Sequence, residues 1–443
     1  MEQQLIAKLH REFIQKDFTV CIDSRKAGKG TIFFALKGEN FDGNRFASNA
    51  LEAGSAAAVI DNPRFKTDHR CILVDDVLQT LQQLSLYHRN RFDIPVIGIT
   101  GTNGKTTTKE LAFSILSRAF KTFATEGNLN NHIGVPLSLL SFKEPLEIAI
   151  IEMGANHQGE IAGLCQLARP GFGIITNIGQ AHLEGFGSVE NIAKAKSELF
   201  DYIRQYGGKL FIPGDNPLLC KLGKEIPAVY YGSSSDNHCK GALTNNFPFV
   251  SLSFETTRGF GKAARGIKGE VNTRLTGAYN FENIMAAITM GLYFGTTTSQ
   301  IREALETYEP QNSRSQVLET QNNLVIMDAY NANPTSMIAA IENFSNFKKQ
   351  GKMAVILGDM LEMGKEAEKV HQLIYNKVMD QNYDLNIFVG SHFSDIIPQN
   401  TGALVFEDAD GLVQWLKKNP LHNYKVLVKG SRGIQLEKIT NYL

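Results

Sequence analysis

Ile94-Pro-Val-Ile-Gly-Ile-Thr-Gly-Thr-Asn-Gly-Lys-Thr-Thr-Thr108 is the stretch on which the fold turns. Residues 94–99 form a short apolar run of the kind that fills a strand buried on both faces of a parallel sheet. Gly101-Thr-Asn-Gly-Lys-Thr106 follows at once, and helical spacing runs over 105–119. Strand, glycine-rich turn and helix N-terminus in that order make a cradle for phosphate. Gly101 and Gly104 free the backbone to turn its N–H groups inward, with Thr102, Asn103 and Thr107 completing the loop. Lys105 is placed to neutralise the β- and γ-phosphates of ATP, and the hydroxyl of Thr106 to ligate Mg²⁺. The spacing departs from the general pattern, because Ile99 stands where a glycine is expected five residues before Gly104. The loop is therefore a compact G-x-x-G-K-T form. A glycine-rich turn by itself is also an ordinary strand-to-helix connection; the lysine, the threonine and the preceding strand favour phosphate.

Composition narrows the rest. A chain of 443 residues suits two to four domains at roughly 100–200 residues each. Hydrophobic content of 43% with 20% charged residues describes a soluble globular protein. Lys+Arg and Asp+Glu both number 45, so no net field favours nucleic acid or an anionic membrane. No apolar stretch reaches transmembrane length, and Met1-Glu-Gln-Gln-Leu-Ile6 lacks the basic-then-apolar order of a signal peptide. The five cysteines (Cys21, Cys71, Cys165, Cys220, Cys239) form no C-x-x-C pair. They read as reduced thiols serving as small buried hydrophobes in a cytoplasmic protein.

Taken in order, the chain predicts three α/β units at 1–85, 86–312 and 313–443. The first carries strands over 20–23, 31–35 and 57–60 and a helix over 46–53. Ser24, Arg25 and Lys37 sit at its strand ends, where they could hold a diphosphate or uracil, or equally be solvated turn residues. A helix over 78–91 leads into the second unit. There, strands over 122–125, 146–153, 173–177 and 209–212 alternate with helices over 158–168 and 188–202, the signature of a doubly wound, mostly parallel sheet. Residues 228–231 and 249–254 read as extra β structure, and 281–293 and 299–308 as closing helices. The third unit restarts near Pro310, with strands over 323–328, 353–357, 386–389 and 426–428. Helices over 334–347, 365–379 and 410–417 separate them in a Rossmann-like α/β pattern. Two α/β units in tandem suit an enzyme that closes on two substrates.

Open parallel sheets bind ligands at the carboxyl ends of their strands, and polar residues gather there. Glu152 ends one strand and His182 follows another, a pair that could hold a divalent metal; Mg²⁺ prefers oxygen, and Mn²⁺ would substitute well. Lys194 and Lys196 lie on the next helix, and spacing singles out neither. Asn280 and Asn283 are one helical turn apart and could read adenine edges, though Asn280 could equally cap its helix. Arg314 stands at the junction of the second and third units, where it could swing onto a γ-phosphate as the cleft shuts. Asp328 ends a strand, followed by the polar loop Tyr330-Asn-Ala-Asn-Pro334. Gly358-Asp-Met-Leu-Glu-Met-Gly364 and Lys429-Gly-Ser-Arg432 end two more.

Several of these stretches resemble the ATP-dependent Mur ligases. They are Thr100-Gly-Thr-Asn-Gly-Lys-Thr-Thr107, Glu152, Asn177-Ile-Gly-Gln-Ala-His-Leu-Glu184 and the Asn280/Asn283 pair. Within that family, the branch that adds D-alanyl-D-alanine is most similar. The likeness lies in Asp23-Ser-Arg25 with Ala35-Leu-Lys-Gly38, in Gly127-Asn-Leu-Asn-Asn-His-Ile-Gly-Val-Pro136 and in Glu152-Met-Gly-Ala-Asn156. It continues in Asp328-Ala-Tyr-Asn-Ala-Asn-Pro-Thr-Ser336, Leu357-Gly-Asp-Met-Leu-Glu-Met-Gly364 and Val428-Lys-Gly-Ser-Arg432.

The resemblance implies an acyl-phosphate amide ligase that joins D-Ala-D-Ala to a UDP-N-acetylmuramoyl-tripeptide in peptidoglycan synthesis, working as a monomer in bacterial cytoplasm. It implies a carbamoylated Lys196 that binds a second Mg²⁺ with His182. Lys105, His182, Lys196 and Arg314 become the catalytic set, and Asp328 joins the ATP contacts. Ser24, Arg25, Lys37, Asn130, Asn131, Tyr330, Asn331 and Asn333 become substrate contacts. Two rivals stand beside this reading: folylpolyglutamate synthase, which shares the central domain and the compact loop, and a non-catalytic nucleotide switch.

Overall fold

The computed structural model describes residues 2–180, 183–246, 248–310, 314–349 and 351–443. Its strands are β1 (Thr19–Cys21), β2 (Thr31–Phe34), the short pair β3 (Lys37–Gly38) and β4 (Phe41–Asp42), β5 (Ala57–Ile60) and β6 (Cys71–Leu73). β1, β2, β5 and β6 pair in that order as a parallel sheet, and β3 with β4 makes a separate hairpin. One face of this sheet is covered by two helices, Glu2–Gln15 and Val77–Arg89. The first of these has no counterpart in the sequence reading, although Ile6, Leu9 and Phe13 recur at helical spacing and are all buried. The second contributes Val77, Leu81 and Leu84 to the same core, where Leu140 of the next unit joins them. The first two units are thus packed through a shared apolar seam.

The second sheet has nine strands. They are β7 (Val96–Thr100), β8 (Thr122–Ala124), β9 (Ile148–Glu152), β10 (Phe172–Ile175), β11 (Lys209–Pro213), β12 (Ala228–Gly232), β13 (Cys239–Asn245), β14 (Ser251–Thr256) and β15 (Lys268–Asn272). Their order is β8-β9-β7-β10-β11-β12-β13-β14-β15, parallel as far as β13 and antiparallel beyond it. The extra β structure expected around 228–254 is therefore larger than foreseen, a three-stranded antiparallel extension. Lys268-Gly-Glu-Val-Asn272 gave little sign of it, since only Val271 is buried. Both faces of the sheet are covered, each with its own apolar core. That explains why β7 and β9 read as continuous hydrophobic runs.

The third sheet comprises β16 (Gln316–Glu319), β17 (Leu324–Asp328), β18 (Lys352–Gly358), β19 (Leu385–Val389), β20 (Leu404–Phe406) and β21 (Tyr424–Lys429). The order is β16-β17-β21-β18-β19-β20, with β16 antiparallel at the edge. Three α/β units follow one another, the middle one doubly wound, as expected. In the second sheet the strand order reverses at β7, between β9 and β10, and in the third the last strand, β21, inserts between β17 and β18. These are the crevices where open parallel sheets take ligands. Among the described residues no helix is long and apolar enough to cross a membrane.

Candidate active site

The phosphate loop leaves β7 at Thr100 and enters the helix Lys105–Leu116 through Gly104, a left-handed N-cap that makes no side-chain capping bond. Its first N–H groups are therefore available to an anion. Gly101 (φ +146°) packs so tightly that a Cβ there would lie 1.9 Å from Thr176 Oγ1. Neighbouring β10 braces the loop. Thr102 N–H donates to Asn177 O at 2.9 Å, Asn103 N–H to Asn177 Oδ1 at 2.9 Å, and Thr176 Oγ1 to Asn103 O at 2.6 Å. Lys105 Nζ arches back to donate to Gly101 O (2.7 Å) and Thr102 O (3.2 Å). An ammonium has a third proton to give. Burial lowers the Lys105 pKa, the charge of Glu152 raises it, and Arg314 lowers it again.

Glu152 ends β9 beside this loop, only 1% exposed. One oxygen, Oε1, accepts from Thr106 Oγ1 at 3.2 Å and from Asn130 Nδ2 at 2.8 Å. The other, Oε2, is buried and accepts no hydrogen bond. A free carboxylate oxygen next to a threonine hydroxyl, at the edge of a phosphate cradle, suits Mg²⁺. That ion commonly takes one or two protein oxygens and completes its shell with water and phosphate. No cluster of three His, Cys, Asp or Glu side chains capable of holding a metal occurs among the described residues. His182, expected as a ligand, lies outside the described residues. Lys196 is on the helix Val189–Tyr206, 2% exposed, with Nζ 5.5 Å from the centre of the Phe186 ring. Burial above all, with repulsion from Lys105, brings its pKa down to about 7, against the opposing pull of Glu160 and Glu198.

Asn280 and Asn283 do meet across one helical turn, yet their amides are largely committed to the protein. Asn283 Nδ2 donates to Asn280 Oδ1 (2.9 Å), Asn280 Nδ2 to Thr276 O (2.8 Å), and Thr108 Oγ1 to Asn283 Oδ1 (3.1 Å). Asn280 starts the helix Asn280–Phe294 but does not cap it; the N-cap position belongs to Tyr279. Asn131 spends its Oδ1 on the N–H groups of Ile133 and Gly134, shaping the turn that carries Asn130.

The third sheet faces the loop with its own strand ends. Asp328 Oδ2 pairs with Lys429 Nζ at 2.6 Å, and Asp328 Oδ1 accepts from Ser315 N–H at 3.1 Å. Lys429 also donates to Asn331 O at 3.1 Å. The Arg314 guanidinium lies 3.6 Å from the centre of the Tyr330 ring, and that of Arg432 lies 5.3 Å from the same ring. Asn333 caps the helix Pro334–Ser345 and also donates through Nδ2 to Asn103 Oδ1 at 2.7 Å. A second link joins Glu184 N–H to Glu362 O at 3.3 Å. The two units thus meet directly over the phosphate loop. Between them lies a cavity of about 760 Å³, bordered by the loop, Asn130, Glu152, Asn283, Arg314 and Tyr330, among others. That is the size of a small-molecule site.

None of the described residues of the first unit lines this cavity. Ser24 and Arg25 lie in a short helical turn capped by Asp23, and the exposed Arg25 guanidinium forks onto Asp23 at 2.9 and 2.8 Å. Lys37 pairs with Asp61 at 2.9 Å. The sequence reading also missed Lys109, a buried helix lysine that donates to Thr125 O at 2.6 Å and stands 3.7 Å from Glu152 Oε2.

Three family models match consecutive parts of the chain: "Mur ligase family, catalytic domain" at residues 19–88, "Mur ligase middle domain" at 99–291 and "Mur ligase, glutamate ligase domain" at 313–432. The chain belongs to the Mur ligase family. Across 436 residues this Mur ligase is 36% identical to the UDP-N-acetylmuramoyl-tripeptide--D-alanyl-D-alanine ligase of Bacillus subtilis, covering 96% of this chain and 92% of the relative. It superimposes on MurF from Acinetobacter baumannii with a TM-score of 0.83 at 30% identity, covering 96% and 92% of the two chains. MurF ligase from Thermotoga maritima, solved in complex with ADP, gives a TM-score of 0.83 at 25% identity over 96% and 97%. The compact loop that looked irregular beside the general phosphate-binding pattern lies inside the stretch matched by the middle-domain model.

Proposed function

We propose that this Mur ligase joins D-alanyl-D-alanine to UDP-N-acetylmuramoyl-tripeptide, converting ATP to ADP and phosphate, as a step of peptidoglycan synthesis in bacterial cytoplasm. The observation that carries the reading is the cavity in which a phosphate loop, a buried carboxylate with one unpaired oxygen and an inter-unit arginine converge. The relatives named for this reaction match almost the entire chain, which favours it over folate ligation. A nucleotide switch would not need a second α/β unit closed over the loop. The first unit takes the UDP end, through Ser24, Arg25 and Lys37 once Asp23 and Asp61 release them. The second takes ATP, and the third the dipeptide, near Tyr330, Asn331 and Asn333. One chain completes the cavity, so a monomer suffices.

A carboxylate is a poor electrophile, because its oxygen is a poor leaving group. In the proposed course, the tripeptide's terminal carboxylate attacks the γ-phosphorus of ATP in line; the P–O bond to ADP breaks and an acyl phosphate forms. Loop N–H groups and Lys105 hold the β- and γ-phosphates, and Arg314 spreads the charge of the transferring group. Thr106 and Glu152 would hold Mg²⁺, for which Mn²⁺ would substitute, and the ion supplies neutralisation of the phosphate oxygens when bound. Lys196, with a pKa of about 7, is substantially uncharged near neutrality. Its amine adds to CO₂ with loss of a proton, and the carbamate would hold a second ion together with His182. The dipeptide's free amine then attacks the acyl carbon, the C–O bond to phosphate breaks, and the proton lost from nitrogen leaves on the phosphate. Asn280 and Asn283 back the phosphate loop beside the adenosine.

The deciding assay is ADP release with UDP-N-acetylmuramoyl-tripeptide, dependent on D-Ala-D-Ala. Lys105→Ala abolishes that release while leaving UDP-substrate binding intact. Full turnover by the variant, or ADP release that ignores the dipeptide, sinks the reading.

A further inference from the structure

Lys109 lies about one turn beyond Lys105 on the helix that starts at the phosphate loop, and nothing in the reaction above uses it. Its side chain is 4% exposed, an unusual place for an ammonium. The proton donated to Thr125 O at 2.6 Å ties Nζ down. At 3.7 Å from Glu152 Oε2 it is too far for a hydrogen bond but close enough for a strong charge interaction. Thr125 serves both partners, because its Oγ1 accepts from Glu152 N–H at 3.0 Å. The carboxylate is therefore held on the Oε1 side by Thr106 and Asn130, while Oε2 is buried without a hydrogen bond and has the Lys109 ammonium beside it. Lys105 feels the charge of Glu152 as well.

We propose that Lys109 is a fixed counter-charge that keeps a divalent ion off Glu152 until a nucleotide brings its phosphates, so that metal and nucleotide load together. This inference rests on the reading of Thr106 and Glu152 as metal ligands. Without phosphate, one carboxylate charge is already offset by Lys109, and an arriving dication meets two ammonium groups. Polyphosphate reverses the sign of that field and makes the unpaired Oε2 an attractive ligand. The bond to Thr125 O prevents the ammonium from moving onto Oε2 and occupying the ligand position itself. Lys109 is thus a positioning residue: it acts on Glu152 and touches no reacting atom.

The test is Mn²⁺ titration of the full-length protein, followed by enhancement of water-proton relaxation, with and without ADP. Wild type, Lys109→Met, Lys109→Arg and Glu152→Gln are compared. Wild type binds the ion at least about tenfold more tightly with ADP than without it, within the usual span of coupling between sites. Lys109→Met gains about tenfold or more in nucleotide-free affinity, the scale on which outer-shell partners act, and loses the ADP dependence by the same factor. Lys109→Arg keeps the wild-type coupling. A merely structural lysine would leave the nucleotide-free affinity where it was. Equal Mn²⁺ affinity with and without ADP in wild type overturns the proposal, even if Lys109→Met fails to fold. So does an unchanged nucleotide-free affinity in a folded Lys109→Met. If Glu152→Gln holds Mn²⁺ with ADP as well as wild type does, the ligand reading itself fails and takes this proposal with it.

Discussion

Gly104→Ala tests the packing of the phosphate loop most directly. Gly104 sits at φ +78°, and a Cβ built there lies 2.4 Å from Asn283 Oδ1 and 3.1 Å from its Cγ. The left-handed backbone alone costs an alanine about 1–2 kcal/mol. Relief of the clash requires Asn283 to move, but its Oδ1 accepts from Thr108 and its Nδ2 donates to Asn280. Losing those two bonds costs about 0.5–1.5 kcal/mol each. Together the terms come to about 2–5 kcal/mol. The nucleotide-free loop escapes this penalty by relaxing, so the cost falls on binding, which must restore the cradle. At about 1.4 kcal/mol per tenfold, even the lower bound weakens ADP affinity by about 30-fold. Isothermal calorimetry with ADP measures it, with circular dichroism to show that the fold persists. In an Asn283→Ala background the steric part disappears and the backbone part remains, so Gly104→Ala should cost about 1–2 kcal/mol there. Loss of less than threefold in the single variant, or an identical loss in both backgrounds, refutes the reasoning.

The other predictions address positions around the cavity and one remote from it. Tyr330→Ala removes the ring under Arg314, a contact worth about 0.5–2 kcal/mol, and lowers kcat by about 2- to 30-fold. Tyr330→Phe keeps the ring and stays near wild type; equal losses in both variants refute stacking as the cause. Lys196→Ala loses activity that formate, acetate or propionate partly restores, as expected if a carboxylate at the lysine tip is what matters. No recovery at any concentration counts against the carbamate. His10 has a pKa of about 4, lowered by burial first and then by His88 and Arg91. The unfolded chain therefore binds a proton near pH 6.5 that the folded state refuses, and stability is lost as pH falls from about 6.5 to 4. His10→Gln flattens that part of the Tm-against-pH curve, and parallel curves for the two proteins refute the assignment.

How much of this was legible depended on how local the cause was. β5, β7 and β9 were readable because strands buried on both faces must be apolar throughout, and the loop after β7 because glycine, lysine and threonine act within six residues. The helix Glu2–Gln15 was readable too, from Ile6, Leu9 and Phe13, and attention to motifs passed over it. β15 was not, since it is an edge strand with a single buried side chain. Lys109 resisted reading for a deeper reason. A lysine on a helix is usually solvated, and this one is buried only because Thr125 and Glu152, on separate elements, close around it. The same holds for Asn333. Sequence places it in a polar loop with a helix after it, but its contact with Asn103 spans 230 residues and exists only when two units meet.

That contact bears on why a ligase of this kind closes over its nucleotide. Asn103 gives its N–H to Asn177, receives Thr176 and Asn177 on its carbonyl, and receives Asn333 on its side chain. Parting the units removes only the last of these bonds, while Asn333 keeps its cap and its reciprocal bond with Ser336. That bond and the one from Glu184 N–H to Glu362 O are worth about 0.5–1.5 kcal/mol each, too little to hold two domains shut. With the units together, Arg314 Nε is buried with no acceptor, a deficit of about 1–3 kcal/mol. On the proposed reading a γ-phosphate would supply the acceptor that Arg314 lacks, so the same oxygen atoms that are to be transferred would also favour the geometry in which transfer occurs.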